Sequence, residues 1–85
     1  MPKPERCLVT GQLGADWHHV KSRGSGGPDE DWNLMPLCRA AHTEVHKVGL
    51  LRFSERYPVV RVWLVERGWE LCPVRMRWVH FNFDK

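Results

Sequence analysis

Trp32-Asn33-Leu34-Met35-Pro36-Leu37-Cys38-Arg39-Ala40-Ala41-His42-Thr43-Glu44-Val45-His46-Lys47-Val48-Gly49 holds a short strand and a whole helix, and its reading decides the fold. Cys38, Ala41, Val45 and Val48 recur at helical spacing, Lys47 sits where the last turn should be, and Gly49 is a good residue to end on. This pattern predicts a helix over 39–48. His42 and His46 lie on the adjacent stripe, four residues apart, so both project from one side. Before the helix, Trp32 to Leu37 reads as a strand that Pro36 keeps at a sheet edge.

Working outward, Asp16 to Val20 is aromatic and β-branched, which suits a second strand. Because side chains alternate along a strand, His18 and His19 must face opposite ways. Ser22 to Asp29, rich in glycine and serine, is a loop joining the two strands. It is not a phosphate-binding Walker loop, since no Gly-Lys-Ser/Thr follows. Lys21 and Arg23 at its root are candidate phosphate contacts, whereas Asp29 and Asp31 read as turn and cap residues. Residues 1–15 suggest an irregular entry with a tight turn at Thr10-Gly11. Leu50 to Tyr57 suggests another helix, and Pro58 opens a further one that ends at Gly68. Trp69 to Phe83 fits either a strand, by alternation of Val74, Met76 and Trp78 with Arg75 and Arg77, or a helical turn begun by Pro73.

The chain has 85 residues, 42% of them hydrophobic with five tryptophans, enough for one small soluble domain. The fold class expected is α+β: a hairpin followed by a helix over about 7–49, and a helical extension over 50–85. Three widely spaced cysteines, a polar Met1–Arg6 segment and no apolar run of bilayer length point to a cytoplasmic protein without membrane partners. Residues 1–49 carry six basic and six acidic side chains, while 50–85 carry seven and four, so the net +3 resides in the C-terminal part. A polyanion suits such a surface, with Arg75 and Arg77 as further candidate contacts.

A histidine pair one helical turn apart places two imidazoles where both can bind one ion, and a third ligand from elsewhere leaves positions open for water or substrate. Thr43 stands where H-E-x-x-H metalloproteases carry glutamate, so that chemistry is excluded. Adding His18-His19 and Asn33 yields a hairpin that carries histidine ahead of a helix that carries histidine. One residue of the pair can reach an ion while its neighbour meets a water, an arrangement for hydrolysis. Imidazole titrates near neutral pH, which suits it to deprotonate that water, and a divalent ion neutralises charge developing on phosphate.

With His18-His19, Asn33 in its Asn-Leu-Met-Pro-Leu-Cys setting, His42 and His46, the sequence resembles the HNH endonuclease family, whose core is the ββα-metal fold, and in particular its phage-type members with an additional helical histidine. The resemblance covers about Cys7 to Gly49. It implies that His18, His42 and His46 bind one divalent metal ion (Mg²⁺, Mn²⁺, Ni²⁺ or Zn²⁺), that His19 is the general base and that Asn33 steadies the hairpin and the base. It further implies a phage or prophage protein that cuts DNA in a bacterial host, leaving 5′-phosphate and 3′-hydroxyl ends. Many relatives also hold a structural zinc on two Cys-x-x-Cys pairs. Here those positions read Cys7-x-x-Thr10 and Cys38-x-x-Ala41, so no four-cysteine zinc is expected. Two other readings compete: a non-catalytic zinc-stabilised DNA-binding module, and an accessory component of a phage packaging or recombination complex. Cys72, Trp63, Trp69 and Trp78 are read as core, and His80 as structural or exposed.

Overall fold

The computed structural model describes residues 3–81. Met1 and Pro2, and the end of the Trp69–Phe83 stretch with the charges Asp84 and Lys85, lie outside the described residues. Two antiparallel hairpins flank three helices: β1 (Asp16–His19), β2 (Leu34–Leu37), α1 (Arg39–Val48), α2 (Leu50–Arg56), α3 (Pro58–Glu66), β3 (Trp69–Cys72) and β4 (Arg77–His80). The α+β class and the hairpin-then-helix order agree with the sequence reading, and the extension adds a second hairpin to its helices.

In the first hairpin His18 pairs with Met35 and His19 with Leu34. Cross-strand partners share a face. His18, Met35 and Leu37 are therefore turned inward and buried, while Trp17, His19 and Pro36 lie on the other face and are half-buried. The entry segment covers the free edge of β2, where the Leu8 N–H donates to the Pro36 carbonyl at 2.8 Å. It turns at Thr10-Gly11 as expected, with Gly11 at φ 75° and its N–H on the Cys7 carbonyl.

Helix α1 starts after Cys38 and stops at Gly49, whose φ of 86° favours glycine and whose N–H returns to the Val45 carbonyl at 2.9 Å. Ala41 and Val45 are its buried stripe. Glu44 ties this helix to the C-terminal end of α2, accepting from the Tyr57 hydroxyl at 2.8 Å and pairing with Arg56 at 3.1 Å. Pro58 opens α3 at its first turn, where a missing N–H costs nothing. Val60, Trp63 and Leu64 face the core with Phe53 of α2.

Trp69 to His80 resolves as a hairpin rather than a helical turn. Trp69 opposes His80 and Leu71 opposes Trp78, so one face presents four large rings and chains to the core. Pro73 to Met76 form the turn, closed by the Met76 N–H on the Cys72 carbonyl, and Val74 and Met76 are exposed there instead of continuing a strand. Both indoles of this hairpin find acceptors: Trp69 Nε1 donates to the Trp32 carbonyl and Trp78 Nε1 to Ser54 Oγ. A buried indole N–H needs such a partner, and these two bonds fasten the second hairpin to the first hairpin and to α2.

Candidate metal centre

His18 projects from the inner face of β1 toward α1, where His42 and His46 occupy the stripe beside Ala41 and Val45. Ring centroids lie 4.9 Å (His18–His42), 5.2 Å (His18–His46) and 4.7 Å (His42–His46) apart. One nitrogen from each residue falls within 4.8 Å of the others, a group that can hold a metal ion. Burial grades from His18, which is buried, through half-buried His42 to exposed His46, so the centre opens to solvent at the C-terminal end of α1.

Electrostatics keep His18 and His42 in the ligating form. Burial pushes His18 down to about 3, aided by repulsion from His42, His46 and His19. Burial likewise lowers His42, followed by repulsion from His46 and partly opposed by Asp16. Neutral imidazoles offer lone pairs. Bonds of about 2.0–2.1 Å from one ion to imidazole nitrogens draw the donors closer than the 4.8 Å within which they lie, a change that side-chain torsions can supply. The donor set could therefore hold one metal ion, with its exposed side open to further ligands.

His19 lies on the outer face, as alternation requires. Its Nε2 is 2.6 Å from Asp29 Oδ1. A carboxylate can only accept, so Nε2 carries the hydrogen and a neutral His19 has its lone pair on Nδ1. The 3.4 Å approach of Arg23 Nε to the same nitrogen is then a contact between two donors. Arg23 instead serves Asp29, with Nη2 3.3 Å from Oδ2. Asp29 is lowered below its usual value, first by the hydrogen bond from His19; burial opposes this, and the nearby Arg23 and His19 charges with the Arg23 hydrogen bond add to the lowering. Reading Asp29 only as a turn residue missed this bond, because the separation of ten residues is closed by the fold of a loop that has no periodicity.

Asn33 is fully buried and clamps the loop: Lys21 N–H donates to its Oδ1 at 2.7 Å, and its Nδ2 donates to the carbonyls of Lys21 and Pro28, both at 3.0 Å. It touches backbone on both sides of the loop and so fixes the chain two residues beyond His19. The loop itself contains one 3₁₀ turn over Arg23–Ser25. Of the four basic candidates, Arg23 is beside His19, Lys21 and Arg77 line a common pocket, and Arg75 is exposed in the β3–β4 turn.

Cys7 and Cys38 are buried free thiols, and the Thr10 hydroxyl is 3.7 Å from Cys38 Sγ. Burial alone raises the Cys7 thiol, but hydrogen bonds from the Thr10 side chain and from the backbone of Cys38, Thr10 and Val9 outweigh it and bring it to about 7. Cys72 is half-buried, and His80 is buried, stacked on Trp32 at 3.9 Å with Nε2 donating to the Arg67 carbonyl at 2.7 Å. Among the described residues no helix is long and apolar enough to cross a membrane.

No family model matches the chain, and no solved structure matches it. A curated protein from Chlamydomonas moewusii, described as an uncharacterized 38.5 kDa protein in psbA intron 1, is 40% identical to it over 47 residues. The shared region is 55% of this chain and 13% of that protein, so the chain spans a small part of the length of the relative it matches.

Proposed function

We propose that this chain is a metal-dependent endonuclease of the HNH type, hydrolysing phosphodiester bonds of DNA. One observation carries the reading: a single strand presents His18 to a three-histidine cluster on its inner face, and presents His19, held by a carboxylate, on its outer face. A structural site uses the first arrangement and has no need of the second.

In the reaction, Nδ1 of His19 takes a proton from the attacking water while Asp29 accepts from Nε2 and holds the ring in that tautomer. The water oxygen bonds to phosphorus, the bond to the 3′ oxygen breaks, and that oxygen takes a proton from solvent, so the products carry a 5′-phosphate and a 3′-hydroxyl. Asn33 keeps the loop and strand end in place, and Arg23, beside Asp29, offsets negative charge near the substrate. An ion on His18, His42 and His46 would supply Lewis-acid stabilisation of the phosphate and leaving oxygen.

The test is cleavage of supercoiled plasmid with Mg²⁺, Mn²⁺, Ni²⁺ or Zn²⁺. Wild type should cut with at least one ion, and His19→Ala should lose about 10²- to 10⁴-fold in rate while binding metal as before. Undiminished cutting by His19→Ala would remove the base from the mechanism. A protein that binds DNA and ion but never cuts would favour the zinc-stabilised binding module, since an ion joining β1 to α1 also stabilises the fold.

A further inference from the structure

Two thiols outside the histidine cluster meet inside the molecule. Cys7 opens the turn of the entry segment, its N–H donating to the Gln12 carbonyl and its own carbonyl accepting from the Gly11 N–H, both at 2.9 Å, and it is 3% exposed. Cys38 stands at the junction of β2 and α1, directly before the first helical residue, and is 5% exposed. Leu8, next to Cys7, is bonded to Pro36, so the two backbones run side by side where the thiols lie.

The same groups serve both sulfurs. The Thr10 hydroxyl is 3.7 Å from Cys38 Sγ and also hydrogen-bonds to Cys7, and the Cys38 N–H bonds to Cys7 as well. Cys7 Sγ thus accepts from the residue that carries the other thiol and shares a hydroxyl with that thiol, two constraints that make the sulfurs neighbours. Bonds from the backbone of Val9 and Thr10 add to these, and together they draw Cys7 toward its thiolate, the form that reacts with oxidants. Two sulfurs and one hydroxyl are too few donors for a tetrahedral structural ion, yet they suffice for one S–S bond. Thr10 is itself exposed, which brings the pair within one residue of solvent and suits a small oxidant better than a bulky one.

We propose that Cys7 and Cys38 are a redox pair that hydrogen peroxide converts into a disulfide, stapling the entry segment to the β2–α1 junction. The Cys7 thiolate attacks one peroxide oxygen, the O–O bond breaks, and the departing hydroxide takes up the proton that Cys7 gave up, forming water. The Cys38 sulfur then attacks the sulfenic acid at Cys7. The S–S bond forms as the S–O bond breaks, and the second hydroxide leaves with the Cys38 proton as water. In all, two thiols lose two electrons and one peroxide becomes two waters. The bond closes a loop of about 30 residues, long enough to constrain the unfolded chain strongly. This inference is independent of the endonuclease reading, because neither thiol belongs to the histidine cluster.

Reduced, metal-free protein is treated with hydrogen peroxide in a chelating buffer, quenched with catalase, unfolded in guanidinium with N-ethylmaleimide and mapped by peptide mass spectrometry. Before oxidation Cys7, Cys38 and Cys72 should all carry the label. Afterwards Cys7 and Cys38 should appear in one linked peptide, two hydrogens lighter than its reduced parts, with Cys72 alone labelled, and dithiothreitol should restore the first pattern. The oxidised protein should melt about 10–20 °C above the reduced one. Cys38→Ala should show no such rise and should leave a sulfenic acid at Cys7 that dimedone traps; if that variant fails to fold, the wild-type mapping decides by itself. Full labelling of Cys7 and Cys38 after oxidation, sulfinic acid at either one without a cross-link, a cross-link through Cys72, or an oxidised protein that melts no higher than the reduced one would overturn the proposal.

Discussion

At the scale of single residues, the contrast between His18 and His19 is the most consequential feature of the chain. Neighbours in sequence, they differ in burial and in the groups they meet: His18 faces two other imidazoles and is buried, while His19 meets a carboxylate at 2.6 Å. The contrast has two measurable outcomes. Asp29→Ala should lower kcat about 10- to 100-fold while leaving KM for DNA unchanged or lower, because it frees the His19 ring and also removes a negative charge from the substrate face. A rise in KM with kcat intact, measured by steady-state cleavage, would assign Asp29 to DNA binding instead. The second outcome concerns pH. The folded His18 titrates near 3 against about 6.5 when unfolded, so between these values the unfolded chain binds the extra proton. The stability associated with His18 is complete above about pH 6.5 and falls as the pH drops toward 3, by a few kcal/mol in total. Denaturant titrations of metal-free protein from pH 7 to 4 should show that decline and His18→Gln should show less of it; parallel curves for the two proteins would sink the assignment.

At the scale of elements, the first hairpin depends on a clamp. Asn33 satisfies three backbone groups around the loop, and Gly27 must be bare because an added Cβ would collide with the Lys21 carbonyl oxygen and press on the Asn33 amide. Asn33→Ala leaves backbone groups unpaired at about 1–3 kcal/mol each, and Gly27→Ala forces the same segment apart. Both should lower the thermal midpoint by more than about 10 °C, given the 4–8 °C that each kcal/mol shifts a domain of this size. Gly24→Ala should shift it by a degree or two, since a Cβ there meets nothing within 4 Å. Equal midpoints for Gly27→Ala and Gly24→Ala in differential scanning calorimetry would refute the clamp. A polar network thus fixes the loop independently of any metal.

At the scale of the whole molecule, β1 and α1 meet across the three histidines, so an ion there would cross-link the two. Any ligand bound only by the folded state adds RT ln(1 + [L]/Kd), about 2.7 kcal/mol at a hundredfold excess over Kd. Adding Zn²⁺ or Ni²⁺ should therefore raise the melting midpoint by about 10–20 °C, and His46→Ala should abolish most of that rise. A midpoint indifferent to every ion would remove the metal centre. The two indole bonds, from Trp69 to Trp32 and from Trp78 to Ser54, join the second hairpin to the rest, and so the extension supports the core and also walls the pocket beside it.

The first hairpin, the three helices and the histidine geometry were legible in the sequence, because they rest on local periodicity. A period of two separates His18 from His19, a period of 3.6 places His42 beside His46, and Pro58, Gly49 and Gly68 mark where helices start or stop. Alternation was too weak a signal for 69–80, where the apolar residues Val74 and Met76 belong to a turn, and only the pairing of Trp69 with His80 and Leu71 with Trp78 settled that segment as a hairpin. Tertiary structure alone decided what is distant along the chain: the contact of Asp29 with His19 across a loop, the three bonds of Asn33, and the joining of Lys21 to Arg77 in one pocket. Hydrogen bonds and pockets form between groups whose separation is set by the closure of loops, and a loop of glycine and serine leaves no periodic trace from which that closure can be read.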